Sequence, residues 1–183
     1  MIPYPAFVVV DIPEPFRSAI QAMRDQLRSL TAALPVEITL AGSSGLGPIP
    51  AGTDGATICA EVDRIAAAMA SFRMEFARIG HFPETGIFFA CPKDRKPFDS
   101  LHAALAASKI PFAASPFPYS PHCTLRIGPA VDPSVAERIH SLPLPPGQVT
   151  LDTISVYALD RATLSVTRLH RRNLTGAGAG PGG

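Results

Sequence analysis

Apolar residues recur along this chain with two different periods, which together predict an alternation of strands and helices. Residues 6–12 form an apolar run interrupted only by Asp11, typical of a buried strand. Residues 16–34 place Phe16, Ile20 and Met23 at helical spacing, which predicts a helix over that range. The same periods predict further strands at 36–41, 73–79, 86–90, 122–128, 149–158 and 163–171, and further helices at 56–71, 97–108 and 133–142.

Several of these strands follow one another without a helix between them. That order favours an α+β fold whose sheet is at least partly antiparallel. Residues 42–55, rich in Gly, Pro and Ser, are predicted to be a loop. A repeated order of helix and strand indicates two related lobes within a single domain over residues 1–175. The tail, 176–183, contains Gly, Ala, Pro and no core-forming residues, and is predicted to be disordered.

Two short segments, 37–40 (EITL) and 122–125 (HCTL), share the pattern polar, apolar, Thr, Leu. Residues i and i+2 of a strand point to the same face, so Glu37 projects with Thr39 and His122 with Thr124. If the two strands lie side by side, each contributes one titratable group and one hydroxyl to a shared cleft. That arrangement suits acid–base chemistry on a phosphate.

The composition narrows the classes of function and location. A chain of 183 residues with a formal net charge of +1 lacks the basic excess of a non-specific nucleic-acid binder. Its three cysteines are scattered without metal-site spacing, which favours reduced thiols in a cytoplasmic protein and predicts no metal. No stretch approaches the roughly 20 apolar residues of a membrane helix, so no membrane partner is expected.

The segment 119–125 (YSPHCTL) resembles the second signature of the 2H phosphoesterase superfamily, the 2′-5′ RNA ligase-like proteins. Residues 82–92 and the helix after them resemble the strand and helix that precede that signature. Residues 35–40 (PVEITL) stand where this family carries its first His-x-Thr motif. The resemblance extends from residue 7 to about residue 169.

This resemblance implies a bilobal α+β fold with two pseudo-symmetric βαβ-type lobes and largely antiparallel sheets around a central cleft. It also implies hydrolysis or reversible formation of 2′-linked or 2′,3′-cyclic phosphodiesters, without metal, ATP or another cofactor. His122 matches a catalytic histidine, and Thr39 and Thr124 match the hydroxyls that bind phosphate. Glu37 departs from the family pattern, because it replaces the first histidine.

A glutamate at position 37 changes the expected chemistry. Ionised at neutral pH, it can serve as a base, so the hypothesis at this point assigns Glu37 as base and His122 as acid. Its charge would repel a phosphate about 4 Å away by about 4 kcal/mol at an effective dielectric constant of 20, which predicts slower turnover than in a two-histidine member. The alternatives are a solvated carboxylate in a decayed site and an exposed histidine that binds nothing.

Two further residues are candidates for substrate binding. Arg126 lies four positions after His122 and faces the same side, where it can offer positive charge to a phosphate. Tyr119, in the proline-rich segment 111–121, can stack on a nucleobase at the rim of the cleft. The alternatives are an ordinary surface arginine and an aromatic residue that serves packing only.

Two functions from different classes remain open after these observations. One is an enzyme acting on a small nucleotide or an RNA terminus that carries a cyclic or 2′-linked phosphate. The other is a nucleotide- or RNA-end-binding protein that has lost turnover together with the first histidine. In either case the protein is expected to be monomeric, with no obligate protein partner. A pH–rate profile abolished by His122→Ala would indicate the enzyme, whereas thermal stabilisation by a ligand without product would indicate the binder.

Overall fold

The computed structural model describes residues 1–177 and has an α+β architecture, as predicted. All strand pairs among these residues are antiparallel. The elements in chain order are β1 (Ala6–Asp11), α1 (Phe16–Gln26), β2 (Glu37–Ala41), α2 (Gly55–Ala68), β3 (Phe72–Met74), β4 (Phe76–His81), β5 (Phe88–Pro92), α3 (Lys96–Ala106), β6 (Cys123–Arg126), α4 (Pro133–His140), β7 (Val149–Leu151), β8 (Thr153–Asp160) and β9 (Ser165–Asn173).

Two open sheets carry the fold. The larger has the strand order β2-β1-β8-β9, and the smaller has the order β4-β5-β6. β2 and β6 are therefore edge strands, and they contact each other where the two sheets meet. We call this contact the β2–β6 seam. A further two-stranded sheet pairs β3 with β7.

The helices pack on the sheets in a reciprocal manner. α1, which follows β1 of the larger sheet, contacts β6 of the smaller one, whereas α3, which follows β5 of the smaller sheet, contacts β2 of the larger one. Fully buried apolar residues of these two helices, such as Ile20, Phe98 and Leu101, belong to one continuous core. The exchange relates the two lobes by pseudo-symmetry around the seam, in agreement with the predicted bilobal architecture.

The helix predicted over 16–34 is shorter in the structure and ends at Gln26. Arg28 adopts a left-handed backbone conformation with φ of 50°, and the Ser29 N–H donates to the Arg24 carbonyl oxygen at 3.0 Å. This is the hydrogen-bond pattern of a Schellman C-terminus, which stops the helix. Leu30, at helical spacing in the sequence, is 68% exposed, so the apolar pattern continued past the end of the helix.

Two segments that were each predicted to be a single strand form two strands in the structure. The strand predicted over 73–79 becomes β3 and β4, and the one predicted over 149–158 becomes β7 and β8. Each division marks a change of partner strand. β3 pairs with β7, whereas β4 belongs to the smaller sheet and β8 to the larger sheet. A sequence period does not reveal a change of partner strand.

The C-terminal segment packs against α2 as far as it is described. The Thr175 N–H donates to the Ala66 carbonyl oxygen at 3.0 Å, and the Gly176 N–H donates to the Met69 carbonyl oxygen at 2.9 Å. Residues 178–183, most of the tail predicted to be disordered, lie outside the described residues. Within residues 1–177, no helix has both the length and the apolar character that crossing a membrane requires.

Candidate functional site

The two motif segments meet at the β2–β6 seam. Alternation along each strand turns one set of side chains into the core and leaves the other set partly accessible. The partly exposed positions are those that the sequence analysis singled out, and the buried positions between them are apolar or cysteine. The side chains left at the open side of the seam are Glu37, Thr39, His122, Thr124 and Arg126.

A buried thiol contact shows how closely the two strands approach. The Cys123 sulfur is fully buried and lies close to the backbone N–H of Glu37. The beginnings of β2 and β6 are therefore direct neighbours. Burial raises the pKa of the Cys123 thiol to about 12, so this group stays protonated and unreactive at neutral pH. All three cysteines are unpaired, and Cys59 and Cys91 are partly exposed.

A buried arginine from α1 ties the two motif strands together. Arg24 is 3% exposed, and its Nε donates to the Thr124 carbonyl oxygen at 3.0 Å. Its Nη1 donates to the carbonyl oxygens of Leu34 at 2.7 Å and Pro35 at 3.1 Å, directly before β2. One guanidinium group therefore fixes both strands and places a positive charge beneath the seam.

Glu37 lies in an environment that favours its protonated form. Desolvation raises the pKa of its carboxyl group to about 7, and the neighbouring Asp11 carboxylate, directly opposite on β1, adds to the rise. The Thr39 hydroxyl, which donates to the two carboxyl oxygens at 3.2 and 3.1 Å, and the charge of Arg24 oppose this increase. Glu37 therefore exchanges its proton close to neutral pH instead of staying ionised as an exposed glutamate would.

His122 lies in an aromatic pocket on the opposite side of the seam. Its ring centroid is 4.7 Å from that of Phe89 and 5.4 Å from that of Phe82. This burial lowers the pKa of His122 below its usual value. Nδ1 lies 2.7 Å from the Ser120 carbonyl oxygen, which can only accept, so Nδ1 carries the proton and neutral His122 keeps a free lone pair on Nε2. Thr124 is paired with Phe89 on the adjacent strand.

Tyr119 packs against the first motif strand. Its ring stacks on His102 with centroids 3.8 Å apart and an angle of 7° between the planes. The hydroxyl group reaches the Thr39 carbonyl oxygen at 3.5 Å, and burial raises the pKa of Tyr119 above its ordinary value. His102 covers one face of the ring, so that face is closed to a nucleobase. Phe117, two residues earlier, is 64% exposed.

Arg126 is anchored to a neighbouring loop. Its Nη1 donates to the carbonyl oxygens of Gly86 at 2.7 Å and Pro129 at 3.0 Å. Together with Arg28 and Arg138 it also lines a surface cavity of about 450 Å³ between α1 and α4. The structure thus gives Arg126 structural partners, and a contact with substrate phosphate stays a prediction.

Sequence reasoning missed a polar network on the open face of the larger sheet. The Asp11 carboxylate accepts hydrogen bonds from the hydroxyl groups of Ser155 at 2.6 Å and Tyr157 at 2.9 Å. Arg171 Nε lies 3.8 Å from the same carboxylate. One feature of the sequence could have pointed to this network, because Asp11 is an acidic residue near the end of the apolar run 6–12. Its partners lie more than 140 residues away along the chain.

Replacing Glu37 with glutamine is expected to stabilise the fold in alkaline solution. Because folding raises the pKa from 4.5 to about 7, the stability that protonated Glu37 contributes is complete below pH 4.5 and is lost as the pH rises through about 7. One pKa unit corresponds to about 1.4 kcal/mol, so Glu37→Gln should raise the free energy of unfolding by up to about 3 kcal/mol at pH 8. Thermal unfolding at pH 8 and pH 5 measures this.

The control for this measurement is Glu137→Gln, at an exposed position of α4. This variant should change the melting temperature little at either pH, because surface substitutions usually have small effects. A Glu37→Gln gain of the same size at pH 5 and pH 8 would contradict the raised pKa.

No group of three or more His, Cys, Asp or Glu side chains suited to hold a metal ion occurs among residues 1–177.

A family model described as the 2′-5′ RNA ligase superfamily matches residues 12–163 of the chain. The match includes both motif segments and the helices α1 to α4. No curated protein sequence matches the chain.

Solved structures with the same fold cover nearly the whole chain. TT0787 of Thermus thermophilus is 20% identical, covers 94% of this chain and 98% of its own, and superimposes with a TM-score of 0.67. E. coli LigT complexed with 3′-AMP is 18% identical, with coverage of 96% and 99% and a TM-score of 0.63. LigT in its apo form is 19% identical, with the same coverage and a TM-score of 0.64. At these identities the likeness shows the fold.

Proposed function

This chain belongs to the 2′-5′ RNA ligase superfamily, and we propose that it hydrolyses, or reversibly forms, 2′-linked or 2′,3′-cyclic phosphodiesters by acid–base chemistry without a metal. The observation that carries the proposal is the β2–β6 seam, where two adjoining edge strands each contribute a titratable group and a threonine. The substrate is a small nucleotide or an RNA terminus. E. coli LigT, which has the same fold, has been solved with 3′-AMP and with ATP, which are small nucleotides, and with phosphate.

The environments of the two titratable groups favour roles opposite to those expected from the sequence. Glu37 has a raised pKa and His122 a lowered one, so a single proton shared by the pair resides on Glu37. In the proposed mechanism neutral His122 is the general base and protonated Glu37 is the general acid. A neutral Glu37 also removes the repulsion that an ionised carboxylate would exert on a phosphate.

In the proposed hydrolysis, His122 Nε2 takes a proton from a water molecule as the water oxygen forms a bond to phosphorus. The bond between phosphorus and one ribose oxygen breaks, and Glu37 donates its proton to that oxygen. The product is a phosphate monoester, leaving His122 protonated and Glu37 ionised, and proton exchange with solvent restores the starting state. Thr124 and Thr39 bind the phosphate oxygens, as the family pattern implies.

The activity is expected to have a narrow bell-shaped pH dependence. It should rise as His122 loses its proton, with a midpoint below 6.5, and fall as Glu37 loses its proton at about pH 7. Initial rates of hydrolysis of a nucleoside 2′,3′-cyclic phosphate between pH 4.5 and 9 measure both limbs. His122→Ala should abolish the profile, and a single-limbed profile would contradict a two-group mechanism.

A second candidate is a nucleotide- or RNA-end-binding protein without turnover. It is favoured by one contact, because the Thr39 hydroxyl donates to Glu37 and must leave it to bind a phosphate. Thermal stabilisation of the protein by a nucleoside 2′,3′-cyclic phosphate, with no product formed, would support this binder and overturn the enzyme.

The proposal extends to the setting in which the protein works. Three unpaired cysteines, one of them deeply buried, are in keeping with a reducing compartment, and we place the protein in the cytoplasm as a monomer with no obligate protein partner.

A further inference from the structure

We propose that Arg168 and Arg171 of β9 form a second anion subsite, which binds a phosphate group on the 5′ oxygen of the nucleotide whose 2′,3′ end occupies the β2–β6 seam. This inference rests on the proposed function and deepens it, because it names the substrate class. The preferred substrate is then a nucleotide phosphorylated at both ends, not a nucleoside carrying the cyclic phosphate alone.

The register of the larger sheet places these arginines on the face that carries Glu37. Directly opposite residues of antiparallel strands project to the same side of a sheet. Asp11 lies opposite Glu37, Arg171 lies opposite Ser155, and Arg168 lies opposite Tyr157. Both Ser155 and Tyr157 direct their hydroxyl groups to the Asp11 carboxylate, so their face is the face of Asp11 and Glu37.

A hydrogen-bonded network holds the Arg171 guanidinium group over this face, with Arg168 beside it. Asp11 accepts from Ser155, which is fully buried, and from Tyr157. Arg168 lies opposite Tyr157 and close to its hydroxyl group, and the Arg171 Nη2 donates to the Thr153 hydroxyl group at 3.4 Å. The arginines are therefore oriented before any ligand arrives, which lowers the entropic cost of binding.

The charge of Arg171 is only loosely paired. Its Nε lies 3.8 Å from the Asp11 carboxylate, longer than the ~2.7–2.9 Å of a charge-assisted hydrogen bond. The side chain is 51% exposed, so a ligand from solvent can reach it. Arg172, the next residue, differs in both respects, because it lies on the opposite face and donates to both carboxylate oxygens of Asp63 at 2.6 and 3.1 Å.

The separation between the two sites requires two anionic groups on the ligand. Glu37 and Asp11 are opposite residues, about 5 Å apart at Cα, and Arg171 reaches the far side of Asp11. The Arg171 guanidinium group therefore lies on the order of 8 Å from the Glu37 carboxyl group, too far for the oxygens of one phosphate to touch both. A 5′ phosphate on the same nucleotide supplies the second anion, because the ribose ring separates it from the cyclic phosphate.

The phosphate group can come from two sources that share this chemistry. It can be the terminal 5′ monophosphate of a free nucleotide, or the diester that links the last nucleotide of an RNA chain to its neighbour. A guanidinium group can form two hydrogen bonds with either, and the experiment includes both forms.

The experiment compares kcat/KM, at low ionic strength, for an adenosine 2′,3′-cyclic phosphate with a free 5′ hydroxyl group, its 5′-phosphorylated form, and a dinucleotide ending in the cyclic phosphate. Wild-type protein should prefer the 5′-phosphorylated form about 10- to 100-fold, the range for hydrogen bonds to charged groups. The preference should weaken in high salt. An advantage for the dinucleotide as well identifies an RNA chain as the source, and its absence identifies the free nucleotide.

Arg171→Gln should reduce this preference about 10-fold, and Arg168→Gln should reduce it in the same direction. Arg172→Gln is the matched control, since it removes a neighbouring arginine from the opposite face and should leave the preference intact. Equal rates on the two mononucleotides, or an undiminished preference in Arg171→Gln, would overturn the subsite while leaving the proposed function in place. If no turnover is found, thermal shifts with the same ligands replace the rates, and absence of both turnover and binding contradicts subsite and function alike.

Discussion

Glu37→Gln is expected to lower kcat/KM for a nucleoside 2′,3′-cyclic phosphate by about 10²- to 10⁴-fold, the usual contribution of one general acid. Glutamine preserves the shape of the side chain and can still accept a hydrogen bond from Thr39, but it has no proton to donate. The same variant should lose much less activity on a p-nitrophenyl phosphodiester, because the nitrophenolate ion leaves without protonation. Initial rates on the two substrates measure the difference.

His122→Gln completes this test. As the proposed base, His122 is needed to activate water for either substrate, so its replacement should slow both reactions by a similar factor of about 10²–10⁴. The pH profile cannot assign the roles, because Glu37 protonated with His122 neutral contains as many protons as the reverse state. The leaving-group comparison separates them.

The outcome that would contradict the assignment is the inverse pattern. If His122→Gln is largely rescued by the activated leaving group and Glu37→Gln is not, the carboxylate is the base and the imidazole the acid, as expected from the sequence. Glu137→Gln, at an exposed position, provides the control and should match the wild type on both substrates.

Arg24→Met is expected to be the most destabilising single substitution at the seam. It removes the donor to three main-chain carbonyl oxygens, those of Thr124, Leu34 and Pro35, and leaves them without this partner. An unsatisfied buried polar group costs about 1–3 kcal/mol, so a total loss of about 3–5 kcal/mol is expected. For a domain of this size that corresponds to a fall in melting temperature of roughly 6–20 °C.

Arg17→Met is the matched control, since Arg17 lies on the same helix, is 59% exposed and pairs with Glu14 at the surface. Its effect should be within about 1 kcal/mol, the range of exposed ion pairs. Arg24→Lys retains the charge but not the guanidinium group that reaches both strands, and should be intermediate. If Arg24→Met melts within a few degrees of the wild type, Arg24 does not tie the motif strands together. If Arg24→Lys folds, the pH dependence of its activity shows whether the positive charge at position 24 still lowers the pKa of Glu37.

Local patterns in the sequence were sufficient to predict the class of fold and the side chains that lie at the β2–β6 seam. Alternation along residues 36–41 correctly separated Glu37 and Thr39 from the buried positions between them, because strand periodicity is a property of neighbouring residues. Helices and strands were located for the same reason, although the predicted helix over 16–34 ran past Arg28. Its left-handed conformation depends on a helix C-terminus that apolar spacing does not encode.

By itself, then, the sequence determined which side chains accompany each other on each strand and the family to which the chain belongs, and it predicted that Glu37 stands in place of the first histidine. Only the tertiary structure decided that Arg24 lies beneath the seam, that Asp11 lies opposite Glu37, and that β9 brings two arginines to the same face. These contacts join residues far apart in the chain, such as Asp11 and Arg171, and the pKa of Glu37 depends on its burial and on the charges around it. Neither these contacts nor the pKa of Glu37 can be derived from the positions of the residues along the chain.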